Sequence, residues 1–205
     1  MLLIIIGGIG FFTWEDIYLH KFHFKHYHMQ SKVILTTTLC LILLPAVFFF
    51  FQDYGNLSGI HRLLASLFQA GTPRTAGFNT ADLTLLSEVG QMLIIILMLI
   101  GGSPGSTAGG MKTTTLAVLV SSALSVFRKK EHTHFFGRRI PDDTIKNAAT
   151  VFLMYIVLFL AGGMVISSIE DIPLMTALFE TASAIGTVGL SLGITPDPVS
   201  YTHLR

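Results

Sequence analysis

Two short segments, Thr75-Ala76-Gly77-Phe78-Asn79 and Thr187-Val188-Gly189-Leu190-Ser191, repeat the pattern Thr-x-Gly-apolar-polar. Backbone of this kind can bind a bare cation. An ion entering a narrow pore exchanges its hydration water for other oxygens, and the carbonyls of an extended strand can form such a ring. Glycine tolerates positive φ and puts no side chain on the axis, so it can turn those carbonyls inward. A single Thr-x-Gly is an ordinary turn after a helix. Here each copy follows a similar apolar piece, Ser66-Leu67-Phe68-Gln69 in the first and Ala177-Leu178-Phe179-Glu180 in the second, with one extra residue before the second threonine. The pairing points to two pore loops.

Other stretches suggest chemistry and support it less well. The tract GGSPGSTAGGMKTTT at 101–115 imitates a phosphate-binding loop, but Gly105…Gly110 is followed by Met111 and only then by Lys112. The phosphate loop needs its lysine directly after the second glycine, between a strand and a helix, and no such strand is visible. His20, His23, His26 and His28 in HKFHFKHYH have a spacing that could gather imidazoles on one helix face. No cysteine or carboxylate completes a metal site there, and a solvated loop at the membrane surface is the better reading. No nucleophile–base pair is evident, which disfavours an enzyme. Cys40 excludes an internal disulfide and, inside an apolar run, reads as a buried bystander.

The elements that carry these residues are membrane helices. Of 205 residues, 51% are hydrophobic and 12% charged, and the mean hydropathy is +0.66. Soluble domains carry about 25% charged residues. The formal net charge of +1 names no nucleic-acid or acidic partner. Val33–Phe51 and Ala148–Ile169 are each long and apolar enough to cross once. Leu85–Phe127 is largely apolar too, and as one helix it would reach roughly 65 Å, about twice the hydrocarbon core. It must break, and Gly101–Gly110 is where glycines allow it. Met1–Phe12 reaches only about 18 Å, has neither a basic leader nor a cleavage site, and reads as the end of a helix.

Lys21, Lys25 and Lys32 flank one loop, and Arg128, Lys129, Lys130, Arg138, Arg139 and Lys146 flank another. Such clusters mark the cytoplasmic side, so Gln52–Thr84 lies outside. The short helix before each Thr-x-Gly then re-enters from outside, where irregular backbone is tolerable only if buried or facing a wet cavity.

The stretches RTAGFNTADL at 74–83, IGGSPGSTAGGMKTTT at 100–115, SAIGTVGLSLGITP at 183–196 and GGIGF at 7–11 resemble the Trk/Ktr/HKT superfamily of K⁺ transporters, especially bacterial Ktr-type membrane subunits. That resemblance implies an all-α, polytopic chain of span–pore-helix–span repeats, with a pseudo-fourfold pore built from four of them. By it, residues 1–20 end the second repeat, 21–32 form a cytoplasmic loop, 33–128 form the third repeat, 129–147 a second loop, and 148–200 part of the fourth. The tail 201–205 does not resemble the helix expected to follow and reads as non-native. The resemblance assigns carbonyls of Thr75, Ala76, Gly77, Phe78 and Asn79, and of Thr187, Val188, Gly189, Leu190 and Ser191, to K⁺ filters. It makes Gly101, Gly102, Ser103, Gly105, Ser106, Thr107, Gly109, Gly110 and Lys112 an intramembrane gate loop, with a plain connector between half-helices as the bland alternative. Lys112 needs water or a carbonyl partner at that depth, or snorkels from a helix end.

The resemblance further implies K⁺ as the transported ion, Na⁺ as a candidate activating or coupled ion, no covalent cofactor, and a bacterial plasma membrane. Its implied partners are the lipid bilayer, a second copy of the chain and a cytosolic RCK-type nucleotide-binding regulator, with no nucleic acid. A rival reading from the residues is a secondary transporter that holds a small solute at the broken helix.

Overall fold

The computed structural model describes residues 1–21, 23–79 and 83–193. Eight α-helices carry the described chain: α1 Leu2–Ile9, α2 Phe11–His20, α3 Met29–Gln52, α4 Gly59–Gly71, α5 Glu88–Leu99, α6 Thr113–Phe127, α7 Asp142–Glu170 and α8 Leu174–Ile185. The expected class, all-α and polytopic, agrees with this architecture. Two helices, α3 and α7, are long and apolar enough to cross a membrane, and the α1–α2 pair adds a third if it is one broken span. Residues 194–205, including the expected tail 201–205, lie outside the described residues.

α3 and α7 run 24 and 29 residues, about 36 and 44 Å, so each overshoots the roughly 30 Å core. Their extra turns are polar. α3 begins at Met29 rather than Val33, and Asp16 of α2 holds its start by accepting from the His28 amide at 3.0 Å and the Ser31 hydroxyl at 2.5 Å. α7 begins at Asp142 rather than Ala148, with Asp142 and Asp143 in its first turn, where the helix dipole favours anions. Hydropathy detects only the apolar part of such a helix, so the loop expected at 129–147 is shorter than its sequence suggests. That loop also holds a hairpin, β1 His134–Phe135 with β2 Arg138–Arg139. Phe136 and Gly137 both have positive φ, as a tight two-residue turn requires.

The first twenty residues depart from the expected single helix end. α1 and α2 meet at 95°, and a Cβ on Gly10 at the bend would lie 2.5 Å from the Pro104 carbonyl oxygen. Cys40, expected to be buried, is exposed on α3. An apolar run in a membrane helix has no obligation to face inward, so the inference from apolar neighbours to burial fails here.

Packing repeats itself along the chain. α4 folds back on α3, and α8 folds back on α7. The α7–α8 approach depends on Gly162 and Gly163: a Cβ on the former would lie 2.8 Å from Thr181 Cγ2, and one on the latter would run into the Leu178 side chain. Phe49, Ile94, Ile95, Met98, Phe179 and Ala182 form the centre of the buried core, so α5 packs between the two helical hairpins. Both Thr-x-Gly segments leave their short helices at the edge of this core.

Candidate functional site

The first segment starts where α4 ends. The Thr72 carbonyl accepts from the amides of Ala76 and Gly77, both at 3.2 Å, which folds the chain into a tight turn. The Thr72 hydroxyl then donates to the Phe78 carbonyl at 2.6 Å and braces the far side. Thr75 and Gly77 have φ of 63° and 66°, whereas the intervening Ala76 does not lie in that region. Positive φ at a β-branched residue is costly, on the order of 1–3 kcal/mol, and persists only where surroundings enforce it. Alternation of φ sign along Thr-Ala-Gly lets carbonyls project to a common side.

The second segment repeats that backbone. Thr187 and Gly189 have φ of 54° and 88°. The Ser183 carbonyl accepts from Val188 N at 2.8 Å, and its hydroxyl accepts from Gly189 N at 3.1 Å. Ser183 therefore does for this turn what Thr72 does for the first. Past the glycine, the Glu180 carboxylate accepts from the Ser191 hydroxyl at 2.6 Å and from Leu192 N at 3.0 Å. A cavity of about 670 Å³ opens here, lined by Glu180, Ser183, Ala184 and residues Thr187–Ser191.

The two segments touch. A Cβ on Gly77 would run into the Val188 carbonyl oxygen. Phe78 and Asn79 are exposed beyond this contact, whereas Val188 and Leu190 are buried.

The glycine- and serine-rich tract lies against both segments. Ile100 and Met111 pair in parallel, with Gly101 N donating to the Met111 carbonyl at 2.9 Å and Met111 N to the Leu99 carbonyl at 3.0 Å. Parallel pairing means the chain leaves and resumes travelling in one direction. The tract is a sideways excursion between α5 and α6, and the expected break falls where the glycines allow it. Its outer part is held by the α1–α2 bend: Ser103 N donates to the Gly8 carbonyl at 2.9 Å and Phe11 N to the Gly105 carbonyl at 3.3 Å. Ser106 Oγ donates to the Ser103 carbonyl at 2.6 Å, and the Ser103 and Thr113 hydroxyls bond at 3.1 Å. Lys112 Nζ donates to the Ala108 carbonyl at 2.7 Å, so the half-buried ammonium has a partner within the tract. A Cβ on Gly109 would strike the Thr187 hydroxyl, and Thr107 and Ala108 line a 300 Å³ cavity with Thr75 and Ala76. Gly101, Gly102 and Gly110 pack closely on the tract's own backbone and side chains.

Sequence reasoning passes over the bracing residues Thr72, Ser183 and Glu180. The alignment that pairs Gln69 with Glu180 contains the signal, because a polar residue recurring three positions before a helix-ending hydroxyl has a reason to face the turn. In the sequence Arg74 is only an outer charge, yet it is 6% exposed, and its contact among described residues is Nη2 to the Thr38 hydroxyl at 3.5 Å. Of the histidines, His28 Nδ1 lies 2.5 Å from Asp16, and His20 stacks on His26 at 6.3 Å. Among the described residues no group of three His, Cys, Asp or Glu is placed to hold a metal.

A family model described as TrkH, cation transport protein, matches residues 1–203. The chain is 39% identical over 204 residues to the potassium/sodium uptake protein NtpJ of Enterococcus hirae, covering 95% of this chain and 45% of that protein. It is 37% identical over 201 residues to the Ktr system potassium uptake protein B of Bacillus subtilis, with the same shares covered. The crystal structure of the potassium transporter TrkH from Vibrio parahaemolyticus superposes with a TM-score of 0.76 at 18% identity, covering 95% of this chain and 43% of that one. The last likeness establishes fold. The chain spans less than half the length of each of these proteins, and it belongs to the TrkH family of cation transport proteins.

Proposed function

We propose that this chain supplies two adjacent walls of a K⁺ pathway across a bacterial plasma membrane, as part of a longer transporter with a pseudo-fourfold pore. Thr75–Asn79 and Thr187–Ser191 present backbone carbonyls to the ion as selectivity filters, and Gly101–Lys112 is a gate loop lying against them. The reading rests on one observation above the rest: two segments far apart in sequence share a left-handed threonine, a left-handed glycine and a hydroxyl bonded to the strand from at or near the end of the short helix before it. A shared conformation costing this much at both threonines is hard to explain as two incidental turns. The relatives are named as potassium or potassium/sodium uptake proteins, which agrees with K⁺ as cargo and keeps Na⁺ as a candidate activating or coupled ion. The name Ktr system implies a further component, and we assign that part to a cytosolic RCK-type regulator beneath a homodimer of the membrane subunit.

The gate assignment has its own test. In a full-length transporter carrying this segment, deletion of Ser106–Gly109 raises K⁺ uptake into transport-deficient cells and reduces dependence on the regulator. A deletion variant that reaches the membrane, stays low in flux and remains fully regulator-dependent reduces the tract to a connector.

A further inference from the structure

We propose that Glu180 is a positioning residue that sets the ion affinity and selectivity of the second filter by clamping the strand beyond Gly189. The inference rests on the reading of Thr187–Ser191 as a filter and extends it to a residue outside that segment.

The geometry is specific. Glu180 stands on α8, ahead of Thr187, with its carboxylate directed back along the outgoing chain. One oxygen, Oε1, accepts from both the Ser191 hydroxyl and the Leu192 amide. Ser191 Oγ also accepts from Gly193 N at 3.0 Å, so the carboxylate organises three consecutive residues. Hydrogen bonds to an ionised acceptor are shorter and roughly twice as strong as neutral ones. Ser183, one turn later on the same helix, holds Val188 and Gly189. Two residues of one helix, Ser183 through its carbonyl and hydroxyl and Glu180 through its carboxylate, therefore hold both halves of the filter strand, and Leu190, between them, is 2% exposed. Among the described residues a Cβ placed on Gly189 would meet no atom within 4 Å, so on that side hydrogen bonds hold the strand, while Val188 and Leu190 anchor it in the core on the other.

The equivalent residue of the first segment does something else. Gln69 is 2% exposed and its Oε1 accepts from the Tyr54 hydroxyl at 3.3 Å. The first strand is instead wedged by Gly77 against the Val188 carbonyl. Gln69 is engaged with Tyr54, whereas Glu180 is engaged with the strand that follows its own helix.

The experiment measures K⁺ and Na⁺ uptake by a full-length transporter carrying this segment, with wild type, Glu180→Gln, Glu180→Ala and Ser191→Ala compared at equal membrane abundance. Glu180→Ala removes both strand contacts, and half-saturating K⁺ rises about tenfold or more with a lower K⁺/Na⁺ ratio. Glu180→Gln keeps a weaker acceptor and falls between it and wild type. Ser191→Ala keeps the Leu192 contact and shifts half-saturation about threefold. A purely structural residue would lower the amount of transporter and the maximal rate while leaving half-saturation and ion ratio unchanged. That outcome for Glu180→Gln, or for Ser191→Ala if the Glu180 variants fail to accumulate, overturns the proposal. Absence of K⁺ uptake by the wild type would instead overturn the filter reading beneath it.

Discussion

The segment after α4 and the segment after α8 share a backbone but differ in surroundings. At Gly77 two constraints coincide, positive φ and the nearby Val188 carbonyl; at Gly189 only positive φ remains, because no atom of the described residues lies within 4 Å of a side-chain position. Charge differs as well. A buried arginine, Arg74, directly precedes the first threonine, whereas Gly186 holds that place in the second, and Glu180 adds a carboxylate. A repeated motif thus keeps the turn, while packing and charge around it diverge. Likeness of backbone in the two segments does not make their surroundings electrostatically equal.

The largest effect should come from Gly77→Ala. Left-handed φ costs alanine about 1–2 kcal/mol, and the new methyl must also displace the Val188 carbonyl, which belongs to the other segment. K⁺ uptake falls by more than tenfold, with a lower thermal midpoint of the purified protein. Gly189→Ala carries the φ cost alone and keeps several times more activity. Equal losses for the two would erase the distinction between a wedged and an open segment.

Charge gives the next contrast. On the proposed filter reading, Arg74→Gln lowers half-saturating K⁺ by roughly threefold by removing a buried cation next to the first segment, whereas Glu180→Gln raises it by loosening the second. A rise for Arg74→Gln would show that Arg74 acts as a structural residue and not through its charge.

The hydroxyl braces should give the smallest change. Thr72→Val and Ser183→Ala each remove one hydrogen bond to the strand, worth about 1 kcal/mol, and each shifts K⁺ half-saturation severalfold or less. Thr72→Val acts more strongly, since Phe78 and Asn79 are exposed while Val188 and Leu190 of the second strand stay packed in the core. The reverse order would place the weaker wall at the second segment.

Much of this arrangement is legible in the residues. Thr-x-Gly repeats, the apolar pieces before them and a glycine tract cutting an overlong apolar run are local patterns with local causes, and the helices α3 to α8 follow them closely. The 95° bend at Gly10 is not local. It depends on Pro104, distant in sequence, whose carbonyl oxygen occupies the space that a side chain at position 10 would need. Helix starts at Met29 and Asp142 escape a hydropathy reading because polar turns continue a helix past the apolar core. The exposed Cys40 shows that an apolar run identifies a membrane helix without saying which of its faces is covered. In the sequence Glu180 is only a letter aligned with Gln69, and its contacts depend on where the strand returns.

The central claim is that both Thr-x-Gly segments face the permeating ion. It is tested most directly by K⁺ and Na⁺ uptake in a full-length transporter carrying Gly77→Ser or Gly189→Ser, compared at equal membrane abundance. A side chain at either position restricts φ and disturbs the neighbouring carbonyls. The account predicts a reduced K⁺/Na⁺ uptake ratio for each substitution, with the greater loss of total flux at Gly77. Two folded variants with unchanged ratios would contradict it.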